Sequence, residues 1–336
     1  MLNQKKFTVA SLFAGIGGFC TAFELENFQV LWANELDSNA TKTYKLNHPE
    51  VQLFGKSIEQ VSVIHDFLPQ VDVLTAGFPC QPYSIAGNKL GLKDPRGKIF
   101  FEIIRLLKEF GSRRPKILLF ENVPGLLFHD RGASFSLIAN AIQSAGYWFV
   151  PPDCHAVLNT YKVTGIPQSR ERLFMVALSW DFFEDQSFEF PTFLNKIADP
   201  VKNYLDIDQP ADQDLYFDKE KRWGKLFEES MSNGKAESVY QLRRYYVREN
   251  KNDIVPTLTA NMGEGGHNVP VIKDSWGIRK LTTIECLRLQ GFDPSKFTFP
   301  DSVARGQRYK QIGNAVTVPL VQVLARECRR LLEKEN

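Results

Sequence analysis

The order of hydrophobic and polar positions predicts alternating strands and helices over the first 180 residues. Short apolar runs indicate buried strands at Phe7–Phe13, Gln29–Asn34, Val71–Phe78, Lys116–Phe120 and Phe174–Leu178. Apolar residues at helical spacing indicate helices between these runs, at Phe19–Glu26, Gly97–Phe110 and Ser134–Ala145. This alternation predicts an α/β fold with a largely parallel sheet that helices cover on both faces.

The pattern changes after Trp180. Residues 181–276 are rich in Phe, Tyr, Pro, Gly and Asp and show little periodicity, which indicates a second, smaller lobe. Helical patterns return at Arg279–Leu289 and in the amphipathic segment Val318–Leu332. We therefore predict a first domain over 1–180, a second over 181–285, and a return segment over 286–336 that completes the first.

Composition narrows the class of protein. A hydrophobic content of 43% and a charged content of 24% are typical of a soluble globular protein, and the net charge of +2 excludes a polycation. Contact with nucleic acid must then come from local clusters of Lys and Arg. The five cysteines form no C-x-x-C pair, so we expect reduced thiols, no disulfide framework and no metal. No apolar run is long enough for a membrane helix, and glycines interrupt the uncharged stretch Phe7–Phe23 that loosely resembles a signal peptide.

One cysteine stands in a distinctive octet. Residues 77–84 are Gly-Phe-Pro-Cys-Gln-Pro-Tyr-Ser, and they place Cys80 directly after a predicted buried strand. The carboxyl ends of parallel strands are where open α/β sheets keep their active sites. A buried structural thiol is the alternative, and it suits Cys20 and Cys286 better. The octet therefore marks Cys80 as a candidate nucleophile.

A glycine-rich loop follows the first predicted strand. Its sequence, Phe13-Ala-Gly-Ile-Gly-Gly-Phe19, allows a sharp turn and the close approach of a ligand. Glu35 ends the next predicted strand, where it could accept hydrogen bonds from a ribose diol. Cys20 occupies the position of the third glycine in the dinucleotide fingerprint, so a nicotinamide dehydrogenase is excluded.

Taken in order, these motifs resemble those of the cytosine-5 DNA methyltransferases. The resemblance implies a Rossmann-like, S-adenosylmethionine-dependent catalytic domain over 1–180, completed by 286–336, and a small, irregular, mostly β target recognition domain over 181–285. It brackets almost the whole chain and rests on the glycine loop, the octet, Glu121-Asn-Val123, Gln168-Ser-Arg-Glu-Arg172, the run from Arg279 to Phe292, and Gln311-Ile-Gly-Asn-Ala-Val316.

The resemblance assigns the chemistry to four residues. Cys80 would attack C6 of cytosine as a thiolate, the reactive form of cysteine, and C5 of the resulting enamine would take the methyl group. Glu121 would supply a proton or a hydrogen bond at N3, which needs a carboxyl that is protonated or shares a proton. Arg172 would hold the cytosine O2 and orient Glu121, and Arg170 would contact the sugar-phosphate. The two arginines alternate, so on a strand they would share a face.

The cofactor-binding residues are also implied by the resemblance. The family usually has Asp at the end of the third strand, to hold the adenine amino group, whereas this chain has Ser57. A hydroxyl group forms a weaker bond than a carboxylate, so we expect a weaker grip on adenine. The expected contacts with S-adenosylmethionine are Phe13, Gly15, Gly17, Gly18, Glu35, Leu36, Ser57, Ile58, Pro79, Ile99, Asn314 and Ala315.

The target base lies inside a duplex, so it must be flipped out before it can react. Residues 84–98 carry three glycines and four basic residues, which suits a loop that closes over DNA. In the second lobe, residues 241–246 and 257–267 are predicted recognition loops, since Arg and Gln can read base edges. The expected DNA contacts are Gln81, Ser84, Arg96, Gln168, Arg243, Arg244 and Thr257.

We thus predict a DNA (cytosine-5-)-methyltransferase that acts as a monomer on double-stranded DNA. It would be cytoplasmic, associated with the nucleoid through its substrate, and paired with a restriction endonuclease. One alternative is the family branch that methylates tRNA, although that branch lacks a developed recognition lobe. Another is a catalytically inactive module that binds the cofactor or DNA, against which the intact Cys80, Glu121 and Arg172 argue.

Overall fold

The structure is a computed structural model that describes residues 6–79, 98–185, 188–192, 198–232, 238–243, 246–264 and 268–335. The chain forms two compact units. The first comprises 1–158, 171–192 and 318–336, and the second comprises 159–170 and 193–317. The division into functional domains at 1–180, 181–285 and 286–336 stays a prediction.

Strands and helices alternate through the first unit, and the second unit contains further strands and helices. The strands are β1 Thr8–Leu12, β2 Gln29–Asn34, β3 Gln52–Phe54, β4 Val73–Ala76, β5 Ile117–Asn122, β6 Tyr147–Trp148, β7 His155–Asn159, β8 Gln168–Ser169, β9 Glu171–Ser179, β10 Val239–Leu242, β11 Val247–Asn250, β12 Val255–Pro256, β13 Val271–Lys273 and β14 Ile278–Lys280. The helices are α1 Gly18–Leu25, α2 Ser38–Asn47, α3 Lys98–Phe110, α4 Ala133–Ser144, α5 Thr160–Thr164, α6 Arg222–Ser232, α7 Thr283–Leu289, α8 Arg305–Asn314 and α9 Val318–Lys334.

The first unit is built on one large sheet with the order β3-β2-β1-β4-β5-β9-β6, and β7 also pairs with β9. The five strands from β3 to β5 are parallel, whereas β9 runs antiparallel to β5 and β6. The central strands are apolar along their length because both of their faces are buried. The strand order reverses direction between β1 and β4, which is the topological switch point of a doubly wound sheet. The predicted Rossmann-like α/β sheet is confirmed.

The last helix returns to the first unit and packs against the first helix. Glu26, just after α1, accepts hydrogen bonds from Gln322 and Arg326 of α9 at 2.9 and 2.8 Å. Leu324, Ala325 and Cys328 are buried on the inner face of α9. The chain's end therefore supports the helix that follows the glycine loop.

The second unit contains an antiparallel sheet with the order β11-β10-β13-β14. Helix α6 lies against this sheet, and Phe227 and Met231 on α6 form a small core with Tyr240, Val271 and Ile278. A separate short parallel pair joins β8 to β12. These features agree with the predicted small, mostly β recognition domain.

The structure differs from the sequence prediction at several elements, among them one strand and two helices. Arg279 lies in β14 and not in a helix, because its guanidinium is buried against Asp274 and Glu285, and α7 starts only after the N-cap Thr282. Helices α2 and α8 were not predicted, since each carries few apolar residues. In the described ranges, no helix has the length and apolar character needed to cross a membrane.

Candidate active site

Several predicted site residues of the first unit lie at the carboxyl edge of the large sheet. Phe13 follows β1, Glu35 follows β2 and Glu121 stands near the end of β5, while Gly77, the first residue of the octet, follows β4. Because β9 runs antiparallel to β5, its start brings Arg172 to the same edge. Open α/β sheets bind ligands at this edge, beside the point where the strand order reverses.

The glycine loop is anchored to Glu35. The backbone turns through left-handed conformations, with φ of 54° at Phe13, 56° at Gly15 and 91° at Gly17, and glycine makes the last two easy. The Gly15 N–H donates to Glu35 Oε2 at 2.8 Å, and the Asp37 N–H donates to Glu35 Oε1 at 2.7 Å. The carboxylate is thus fixed beside the loop, while its remaining lone pairs can accept hydrogen bonds from a ligand.

The ends of β2 and β3 are held together by a buried amide. Asn34 Nδ2 donates to the carbonyl oxygens of Phe54 and Lys56, both at 2.8 Å. This fixes the segment that carries Ser57, whose hydroxyl caps a 3₁₀ turn by accepting from the Glu59 N–H at 3.4 Å. Ile58 is buried, whereas Leu36 is 67% exposed and leaves an apolar surface at the sheet edge.

Glu121 and Arg172 form an ion pair at this edge of the sheet. Arg172 Nε lies 2.9 Å from Glu121 Oε1, and only 13% of the glutamate side chain and 17% of the arginine side chain are exposed. A Cβ atom at Gly77 would lie in ordinary van der Waals contact with Glu121 Oε2, at 3.5 Å, so the carboxylate lies directly beside the backbone at the start of the octet. The pair therefore presents one carboxylate oxygen toward the segment that leads into the octet.

Asn122 fastens that segment to β5. Its Nδ2 donates to the Phe78 carbonyl oxygen at 3.1 Å, and its Oδ1 accepts from the Val123 N–H at 2.8 Å. The side chain is buried, and the sequence analysis assigned no role to it beyond membership of the Glu121-Asn-Val123 motif. Asn122 thus sets the position of the strand end that precedes Cys80.

Several predicted residues lie outside the described residues, namely Cys80, Gln81, Ser84, Arg96 and Arg244. On either side of the undescribed segment 80–97, Pro79 is exposed and Ile99, in α3, is half-buried against the core.

The four described cysteines, Cys20, Cys154, Cys286 and Cys328, are buried. Burial raises the pKa of the Cys20 and Cys154 thiols to about 12. These thiols are therefore poor nucleophiles at neutral pH.

Arg170 and Arg172 do not share a strand face, contrary to the prediction. Arg170 falls between β8, which pairs with β12, and β9, which pairs with β5. It is 2% exposed and donates to the carbonyl oxygens of Leu258 and Ala315, both at 2.7 Å. The chain passes from one sheet to another at this point, so simple alternation fails. A sugar-phosphate contact by Arg170 stays a prediction that these bonds do not favour.

The other predicted residues of the second unit divide by exposure. Gln168 is fully buried and donates to the Leu289 carbonyl oxygen at 2.8 Å. Thr257 is half-buried and donates to the Ser169 carbonyl oxygen at 2.6 Å. Arg243 is half-buried at the end of β10, Asn314 is exposed at the end of α8, and Ala315 is buried. Only part of this set can meet DNA without a rearrangement, and their roles stay predictions.

Comparisons with known proteins agree on one family. The family model for C-5 cytosine-specific DNA methylase matches residues 7–330. The Type II methyltransferase M.Bsp6I from Bacillus sp. (strain RFL6) is 39% identical over 321 residues, which cover 94% of this chain and 96% of the relative. The Type II methyltransferase M.Eco47II from Escherichia coli is 35% identical over 362 residues, covering 100% of this chain and 82% of the relative. A crystal structure of a DNMT2 mutant from Spodoptera frugiperda, 20% identical, has a TM-score of 0.72 and covers 96% of this chain and 100% of that one, which shows the fold alone.

Proposed function

Because this chain belongs to the C-5 cytosine-specific DNA methylase family and is a DNA (cytosine-5-)-methyltransferase, we propose that it methylates a flipped-out cytosine within a short double-stranded DNA sequence, with S-adenosylmethionine as the methyl donor. The observation that carries this proposal is the half-buried Glu121–Arg172 pair, at 2.9 Å, beside the strand end that leads to Cys80. The relatives are named Type II methyltransferases, which supports a paired restriction endonuclease. The same proposal implies that the chain binds double-stranded DNA and is located in the cytoplasm.

The residues at the switch point fit S-adenosylmethionine. Apart from its own chain neighbours, no atom of the described residues lies within 4 Å of the position that a Cβ would take at Gly15, so this part of the loop leaves room for a close ligand. Glu35 would accept hydrogen bonds from the ribose hydroxyls, and Leu36 and Ile58 would flank the adenine. Ser57 would meet the adenine amino group, and Phe13, Gly17, Gly18, Pro79, Ile99, Asn314 and Ala315 would complete the site. The bound cofactor supplies an electrophilic methyl group.

The catalytic residues would act on the cytosine ring in turn. The Cys80 thiolate would form a bond to C6, and the electron density displaced toward N3 would be met by a proton or hydrogen bond from Glu121. Arg172 would hold both Glu121 and the cytosine O2. C5 would then take the methyl group as its bond to the sulfonium sulfur breaks, which leaves S-adenosylhomocysteine. A base would take the C5 proton, N3 would give up any proton that it had received, and the bond from Cys80 to C6 would break, which restores the thiolate and the aromatic ring.

A Glu35→Ala variant should bind S-adenosylhomocysteine, the product formed from the cofactor, more weakly than the wild-type chain does. The change removes the acceptor for the ribose hydroxyls and leaves the Gly15 and Asp37 N–H groups without their present partner. Hydrogen bonds to a charged group contribute about 1.5–3 kcal/mol, so the Kd for S-adenosylhomocysteine should rise roughly 10- to 150-fold. Isothermal titration calorimetry measures this, with the exposed Glu50→Ala as the control. A Kd within twofold of wild type would remove Glu35 from the site.

Methylation sequencing tests the proposed function directly. The chain is expressed in a host without cytosine methylation, and genomic cytosines are read at base resolution beside a Cys80→Ala control. We expect methylation at one short motif with the wild-type chain and none with the control, because the thiolate is needed for attack at C6. A folded wild-type protein that binds S-adenosylhomocysteine but leaves the DNA unmethylated would refute the proposal.

A further inference from the structure

Arg170 connects three segments of the second unit. Its Nη1 donates to the Leu258 carbonyl oxygen at 2.7 Å, and its Nη2 donates to the carbonyl oxygens of Ala315 at 2.7 Å and Gly313 at 3.3 Å. Leu258 lies in a predicted recognition loop, and Gly313 and Ala315 flank the predicted cofactor residue Asn314. A guanidinium is planar and carries donors in a fixed fork, so these bonds fix the two segments relative to each other.

Two buried glutamines extend the connection. Gln168 accepts from the Leu258 N–H at 3.1 Å through Oε1 and donates to Gln290 Oε1 at 3.3 Å through Nε2. Gln290 Nε2 in turn donates to the carbonyl oxygens of Ile312 at 2.8 Å and Ala315 at 3.2 Å. Both glutamines are fully buried. Water does not reach these buried polar groups, so each depends on its hydrogen bond within the protein. Breaking one of these bonds leaves a polar group unsatisfied.

Close backbone contacts hold the same two segments together further along. A Cβ at Gly313 would lie 2.1 Å from the Thr259 carbonyl carbon, and one at Gly263 would lie 2.4 Å from the Gly306 carbonyl oxygen. Neither neighbour is a flexible side chain that could move aside. Glycine therefore permits α8 to pack directly on the segment Thr257–Gly263.

We propose that Arg170 is a positioning residue that, with Gln168 and Gln290, locks the segment Thr257–Gly263 to the segment Ile312–Ala315. The inference rests on the proposed function, in which the first segment faces DNA and the second holds the cofactor. The two segments then act as one body, so that disturbing the recognition segment loosens the grip on the cofactor. Arg170 acts through the backbone that it holds and not through contact with substrate.

The buried bonds argue against a phosphate contact by Arg170. To reach a phosphate, the guanidinium would have to give up its bonds to the buried carbonyl oxygens of Leu258, Gly313 and Ala315, of which Ala315 would keep Gln290 Nε2 as a donor at 3.2 Å. A single exposed charge-assisted bond does not offset the loss of several buried ones. The two possible roles of Arg170, as a positioning residue or as a phosphate contact, therefore predict opposite results in binding measurements.

Arg170→Met and Arg170→Lys in the full chain separate these alternatives. If Arg170 is a positioning residue, both variants should raise the Kd for S-adenosylhomocysteine roughly tenfold, while the slope of log K for DNA against log salt stays that of wild type. Methionine has no donor, and the single ammonium nitrogen of lysine cannot replace the planar fork that reaches Leu258 through Nη1 and Gly313 and Ala315 through Nη2. If Arg170 contacts phosphate, Arg170→Met should reduce the magnitude of that slope by about 0.9, and Arg170→Lys should keep the wild-type slope. In that case the Kd for S-adenosylhomocysteine should not change in either variant. The second pattern, or no effect in either measurement, overturns the proposal.

Gly263→Ala tests the same connection without touching Arg170, should that variant fail to fold. Its matched control is Gly224→Ala, in α6 of the same unit, where a Cβ would lie 2.0 Å from the Asp218 carbonyl oxygen. We expect weaker binding of S-adenosylhomocysteine for Gly263→Ala only, and equal binding by the two variants would overturn the proposal. A wild-type chain that does not bind S-adenosylhomocysteine would refute the proposed function itself, whereas failure of the connection alone appears only in the variants.

Discussion

Glu121→Gln should lower the single-turnover rate of methyl transfer by about 10²–10⁴-fold, the range of general acid catalysis. The amide has the size of the carboxyl group but cannot deliver a proton to N3 of the cytosine. The pairing with Arg172, at 2.9 Å, holds the group in place before the substrate arrives. The rate is measured by transfer of a labelled methyl group to DNA with enzyme in excess, so that product release does not limit it.

Two further measurements make the Glu121 result specific. The Kd for S-adenosylhomocysteine should stay within twofold of wild type, because Glu121 is not among the residues proposed to hold the cofactor. The exposed Glu50→Gln variant should leave the rate unchanged. A rate for Glu121→Gln within threefold of wild type would rule out acid catalysis by this residue.

Arg279→Met should destabilise the protein by about 3–5 kcal/mol, which is the cost of leaving buried charges without their partner. The guanidinium contacts Asp274 Oδ2 at 2.7 Å and Glu285 Oε2 at 2.8 Å, and all three side chains are fully buried. Methionine fills similar space but leaves both carboxylates uncompensated. Unfolding in urea, followed by circular dichroism, measures the loss.

A second ion pair, formed by Arg288 of α7, provides the comparison. Arg288 pairs with Asp206 at 2.7 Å, but both side chains are about one third exposed. Exposed pairs contribute about 0–1 kcal/mol, so Arg288→Met should have little effect. Equal losses from the two variants would show that burial of the Arg279 cluster is not what stabilises the second unit.

The sequence predicted which sheet edge carries the candidate site, because strand ends are local features. The apolar runs that end at Phe78 and at Glu121 follow from burial on both faces of a parallel sheet, and this burial can be read from a few adjacent residues. The glycine loop and Glu35 were identified in the same way, and the structure joins them by a hydrogen bond of 2.8 Å. Their roles toward cofactor and DNA stay predictions.

Helices with few apolar residues could not be recognised from periodicity. Helix α8 has no regular apolar stripe because it packs through backbone, at glycines that lie against the 3₁₀ turn Ala260–Gly263. Helix α2 carries only a local signal, Asp37, whose carboxylate caps it by accepting from the Asn39 and Ala40 N–H groups. For α8, contacts between residues far apart in the chain are what packs the helix in place.

The amino-acid sequence by itself determined the α/β class, the family and the candidate residues, because motifs and apolar periods are properties of neighbouring residues. Only the tertiary structure decided where the side chains of Arg170 and Gln168 lie, since the sequence assigned both residues to contacts with DNA and both proved to be buried. Their hydrogen-bond partners lie about 90 to 145 residues away along the chain. Such partners become neighbours only when folding removes water from the polar groups of both segments, and that is why the sequence could not reveal them.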